Sequence, residues 1–96
     1  MSTEQDLYNG DRAREVLENE AYIAAYDAIN TEITEQWKTS PIRDQDAREK
    51  LFLMQKMLQK IRSSLEATMT SGTLARAELS HRQSLLDKAK ALAGYN

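Results

Sequence analysis

The 96-residue chain contains no cysteine. That excludes a disulfide scaffold, a thiol nucleophile and Cys-ligated zinc. Its single histidine, His81, excludes metal sites and proton relays that need two imidazoles. With three glycines and one proline, none of them in a phosphate loop or dinucleotide fingerprint, the common nucleotide-cradling motifs are missing too. Charge of one sign is also lacking. Thirteen Lys and Arg stand against fifteen Asp and Glu, for a net charge of −2, too balanced for a protein that coats duplex DNA. The longest apolar run, Ala21 to Tyr26, is six residues, against the roughly 20 needed to span a bilayer. The acidic opening MSTEQDLYNG lacks the basic-then-apolar order of a secretory signal. These absences predict a cytoplasmic, non-membrane chain without cofactor, metal or catalytic residues. At 11.0 kDa it forms one small domain that hides about 60–65% of its unfolded surface, too little for a deep enzyme cleft without a partner chain.

What is present favours helix. Twelve alanines, eleven leucines and four methionines outweigh five isoleucines and one valine. The predicted fold is all-α, an antiparallel helical hairpin followed by a third, C-terminal helix. Residues 1–10 read as a flexible arm ending at Asn9-Gly10, with Asp11 capping a first helix from Arg12 to Lys38. Thr39-Ser40-Pro41 interrupts that helix, because proline restricts its predecessor and removes a backbone donor. The second helix starts in one of two ways: Ser40 caps it with Pro41 at the first position, or Asp44 caps it after a turn through Ile42-Arg43. It runs to Ser71, with Gly72 as the left-handed terminating residue. Residues 11–72 then form the hairpin, and residues 73–96 a third helix or partly ordered tail that begins at Thr73 and ends at Gly94.

The apolar spacing supports two facing stripes. One runs through Tyr22, Tyr26, Ile29, Ile33 and Trp37; the other through Ala47, Leu51, Met54, Leu58, Ile61 and Leu65. The second is close to a coiled-coil seam. Trp37 is placed to close the bend end against Leu51 or Phe52. The C-terminal segment carries two competing phases, Leu74-Ala77-His81-Leu85-Ala89-Leu92 and Leu79-Arg82-Leu86-Ala89-Ala93. Charge is unevenly divided: nine acidic and three basic side chains in residues 1–40, six acidic and ten basic in residues 41–96. This asymmetry suits attraction between the two helices of one hairpin, and equally between subunits.

Candidate functional residues follow from excess apolarity. The segment AYIAAYDAI, residues 21–29, has one charge, Asp27, and is apolar around most of its circumference. A helix lying on one neighbour needs only a stripe. Either the third helix covers it, or it is buried in an interface, and tyrosines suit an interface because the ring is buried while the hydroxyl stays hydrated. The predicted interface comprises Ala21, Tyr22, Ala25, Tyr26, Ala28 and Ile29, with Phe52 and Met57 on the exposed flank of the second helix. Closed two-fold dimers being the commonest soluble homo-oligomers, a dimer is the favoured state. Arg43, Arg48, Lys56 and Lys60 are the candidate nucleic-acid contacts, although scattered basic residues on a helix more commonly form a solvated face. Glu15, Glu18, Glu32 and Glu35 have helical spacing, but with one histidine in the chain the paired Glu-x-x-His motifs of a di-metal site are lacking.

Residues 17–72 carry a further pattern. Leu17-Glu18-Asn19 opens a long helix, Trp37 to Pro41 breaks it, Arg43 to Lys50 is a charged restart, and Leu51 to Gly72 is a Leu/Met-rich helix ending at glycine. This order resembles short helical proteins encoded among the structural genes of tailed bacteriophages. The resemblance implies a virion-assembly or accessory role through protein contacts, in the host cytoplasm, with no catalytic residues to transfer. Two functions therefore stand: a structural or adaptor protein acting through self-association and docking on a larger protein assembly, and a small nucleic-acid-associated or regulatory module.

Overall fold

A computed structural model describes residues 2–94 as three α-helices: α1, Thr3–Glu18; α2, Glu20–Thr39; and α3, Gln45–Leu92. The all-α class is as predicted, but the helix boundaries differ in three places. Residues 3–10 are helical, not an arm, and the cap is Ser2 rather than Asp11. The Ser2 hydroxyl accepts from the Gln5 amide at 3.1 Å, and Glu4 and Asp6 place negative charge in the first turn. The long first helix is broken at Asn19, whose backbone is extended. Its N–H donates to the Val16 carbonyl and closes α1, while its side-chain oxygen accepts from the Tyr22 amide at 3.0 Å and opens α2.

The third difference is at Gly72, which terminates nothing. Helix α3 runs through it for 48 residues, about 72 Å at 1.5 Å per residue, so residues 73–92 continue the second helix. Gly72 instead lies against Gly10 of α1. A Cβ on either would meet the other's Cα at 2.6–2.7 Å, so only glycine allows the two backbones this close. Ala13 and Ala75, three residues beyond each glycine, are buried beside this crossing. The left-handed terminating glycine is Gly94, at φ +88°; the last two residues of the predicted tail, 95 and 96, lie outside the described residues.

The reversal occurs where proline predicted it. Thr39 ends α2, the Ser40 N–H donates to the Trp37 carbonyl, and Asp44 caps α3 by accepting from the Ala47 amide at 3.2 Å. Of the two predicted starts, the Asp44 cap is the one formed. From there α3 runs back antiparallel along α2 and then α1. Gln55 donates to Asn30 at 3.4 Å, Arg76 to Asp11 at 3.1 Å, and the Thr3 hydroxyl to Glu78 at 3.3 Å. The break at Asn19 has a packing reason. Glycine and alanine hold α1 close to α3, whereas Tyr22, Tyr26 and Ile33 hold α2 further off, and one straight helix cannot do both.

The result is a rod of 80 × 24 × 17 Å with a radius of gyration of 22.0 Å, against about 12.5 Å for a compact chain of this length. Its core is thin: Ala13, Ile33, Leu51 and Ala75 are the buried hydrophobic residues. Beyond Leu79 every described residue of α3 is exposed, so its last 13 helical residues extend past the start of α1 without a neighbour.

Candidate interaction surface

Two flanks of the α2–α3 pair differ in chemistry. On the first, three rings are each met by a cation. The Arg48 guanidinium lies 4.4 Å from the Trp37 ring centroid, Lys56 5.3 Å from Phe52, and Arg62 5.0 Å from Tyr26. Arg48 also donates to the Ser40 hydroxyl at 2.9 Å, tying the turn to α3. Trp37, expected to plug the bend end, is instead 45% exposed and lines an open groove there with Ile33, Thr34, Leu51, Phe52 and Gln55. A second groove on this flank brings Ile23 and Asp27 of α2 beside Arg62 and Glu66 of α3.

The opposite flank is apolar and open. At about 100° per residue, Ala21, Ala25, Ala28 and Ile29 fall on the side of α2 turned away from Ile23 and Asp27. By the same rule Met54, Met57 and Ile61 fall on the side of α3 turned away from Phe52 and Glu66. Because Thr34 shares one groove with Phe52, and Asp27 another with Glu66, the two remaining sides also face one common direction. Ala21, Ala25 and Ala28 are exposed, as are Ile29 at 46%, Met54 at 51%, Met57 at 70% and Ile61 at 56%. Val16 at the end of α1 extends the patch, lining a shallow groove with Leu65 and Thr68.

The structure thus brings together Ala21, Ala25, Ala28, Ile29 and Met57 of the predicted interface. It separates Tyr22, Tyr26 and Phe52 from them. Both tyrosines are half-buried towards α3, their ring centroids 6.1 Å apart, and the buried Tyr22 hydroxyl has no partner among the described residues. Phe52 lies beneath Lys56 on the other flank. Met54 and Ile61 join the apolar patch, although their spacing predicts an intrachain seam. The signal that identifies them is the one applied to residues 21–29: Leu51 to Met57 is apolar around most of the helix, more than one neighbour can cover.

The basic candidates do not form a track. Arg48 and Lys56 lie over aromatic rings, Arg43 is exposed in the turn, and Lys60 is exposed a helical turn beyond Lys56. Among the carboxylates, Glu15 pairs with Arg12 at 2.6 Å and Glu35 with Lys38 at 3.7 Å. No group of three or more metal-ligating side chains occurs among the described residues, His81 is exposed, and no described helix is long and apolar enough to cross a membrane. Neither a protein-family model, nor a curated protein, nor a solved structure matches the chain.

Proposed function

We propose that the chain is a structural module that works through self-association and protein contacts rather than catalysis, most simply as a homodimer. The observation that carries this reading is the surface left uncovered. A compact chain of 11.0 kDa exposes about 5,600 Å², and this one exposes 7619 Å², an excess of about 2,000 Å². Obligate homodimers bury roughly 1,000–2,500 Å² per chain, which brackets the excess. The core points the same way: Ile33 and Leu51 are the large side chains buried among the described residues, and a second chain would add to that burial.

The sequence order of residues 17–72 resembles phage structural-gene proteins, and virion assembly is the setting proposed on that resemblance, although α3 runs through Gly72 instead of ending there. The nucleic-acid reading is the weaker one, because three of the basic side chains on α3 are committed to aromatic rings. Light scattering and circular dichroism across protein concentration test the proposal. The expected result is a dimer whose dissociation on dilution is accompanied by loss of helicity. A chain that stays monomeric with full helicity at about 100 μM refutes it. Submicromolar, sequence-selective binding to duplex DNA at about 150 mM salt favours the nucleic-acid module instead.

A further inference from the structure

We infer that the second copy sits on the apolar flank formed by Ala21, Ala25, Ala28 and Ile29 with Met54, Met57 and Ile61, related by a two-fold axis parallel to the helices. This rests on the self-association proposed above and specifies its surface and symmetry. The flank is self-complementary under that axis. Rotation by 180° about a line between the helices lays α3 of the second copy over α2 of the first, and the reverse. The strip of small side chains on each α2 then receives the strip of large ones on each α3. Levels match as well. Asn30 is level with Gln55, and Arg62 lies over Tyr26, so Ala25 is level with Ile61 and Ala28 with Met57. Ala25 of one copy therefore faces Ile61 of the other.

Charge selects this axis over the alternative. Helix α2 carries four acidic and one basic side chain, and the stretch of α3 level with it, residues 47–66, carries five basic and two acidic, of which Lys50 falls on the apolar flank. The helix-parallel two-fold places each α2 over an α3, with Glu32 and Glu35 within about a turn of Lys50 of the second copy. A two-fold perpendicular to the helices would stack acidic α2 on acidic α2. All four neighbouring helix pairs are antiparallel under either axis, as in up-down four-helix bundles, so charge and the fit of small to large side chains decide between them. The cation-covered flank, with Phe52 and Trp37, remains outside the bundle.

The absence of native cysteine makes the test direct. Ala25→Cys and Ile61→Cys chains are purified separately, mixed under reducing conditions, and oxidised. The expected product is the mixed disulfide in excess over either self-linked species, since only that pair approaches within the roughly 7 Å Cα separation a disulfide needs. In parallel, Ala25→Glu is expected to weaken association by about 100-fold, the effect of an uncompensated charge in a closed contact, while Phe52→Glu leaves it unchanged. Circular dichroism at high concentration checks that each chain folds, and Ala25 is exposed in the single chain, so the substitution is compatible with folding. Self-linking of the Ala25→Cys chain in preference to the mixed pair overturns the axis. Dissociation by Phe52→Glu but not Ala25→Glu overturns the surface and leaves self-association standing. A monomeric wild-type chain overturns both.

Discussion

Replacing Gly72 with alanine sets two effects of similar size against each other. In a helix interior, alanine is favoured over glycine by about 1 kcal/mol, so an isolated α3 would gain stability. In the folded chain, the new methyl carbon would stand 2.7 Å from the Gly10 Cα and 3.1 Å from the Asp6 carbonyl oxygen. Comfortable carbon contacts are about 3.5–4.0 Å, so α1 must retreat by about 1 Å. Both atoms belong to the backbone, so no rotamer change relieves the clash. Overpacking of this kind costs about 1–3 kcal/mol, and the retreat also loosens Ala13 and Ala75. The net expectation is a loss of about 0–2 kcal/mol, confined to the docking of α1. Urea unfolding followed by circular dichroism reads the total, and amide exchange locates it. Amides of Thr3–Glu18 should exchange faster, while those of residues 51–65 change little. Gly10→Ala should act alike, and the double variant should cost less than the sum, because helices already forced apart accommodate the second methyl. A Gly72→Ala chain that melts higher, with α1 protection unchanged, refutes the close crossing.

Three further outcomes are expected. Asn19→Ala removes the acceptor for the Tyr22 amide and should cost about 1 kcal/mol in denaturant unfolding, whereas Asn19→Asp keeps the cap and most of the stability. Ile33→Ala, at a site 5% exposed, should cost about 2–4 kcal/mol, and a loss below about 0.5 kcal/mol would show that α2 does not pack there. Arg48→Ala removes the cation over Trp37 and the hydrogen bond to Ser40. Tryptophan emission should shift and stability fall by about 1 kcal/mol, while Arg48→Lys restores only part of either.

Local chemistry made part of this fold legible. Pro41 and the Asp44 cap mark the reversal because their constraints act within a few residues. The break at Asn19 is nearly silent in the sequence. Asparagine is tolerated within helices, and Tyr22 occupies the position where a capping box would show glutamate. Glycine was ambiguous in a different way. The same absence of Cβ that lets a chain turn at Gly94 lets two helices touch at Gly10 and Gly72, and only the partner distinguishes these uses. The matched Gly10-x-x-Ala13 and Gly72-x-x-Ala75 spacings were the available clue. For the interaction surface, excess apolarity located residues 21–29 but not the face used. Tyr22, Tyr26 and Phe52 have the bulk of interface residues, yet helical phase turns the tyrosines towards α3 and the phenylalanine to the cation-covered flank. Met54 and Ile61 belong to a regular seam pattern, but one neighbouring helix covers only one side of α3.

The 80 × 24 × 17 Å shape governs how the chain moves through solvent as well as how it buries surface. Drag on a rod depends mainly on its length, so a single chain sediments slowly for its mass and has a high frictional ratio. Pairing flank to flank about an axis along the rod doubles the mass while leaving the length nearly unchanged. The sedimentation coefficient then rises steeply and the frictional ratio falls towards that of a sphere. Joining through the free ends of α3 would instead lengthen the particle and raise the ratio. The sign of that change with concentration therefore separates lateral from end-to-end growth, and in a lateral pair the protruding ends of α3 are carried out together at one pole of the particle.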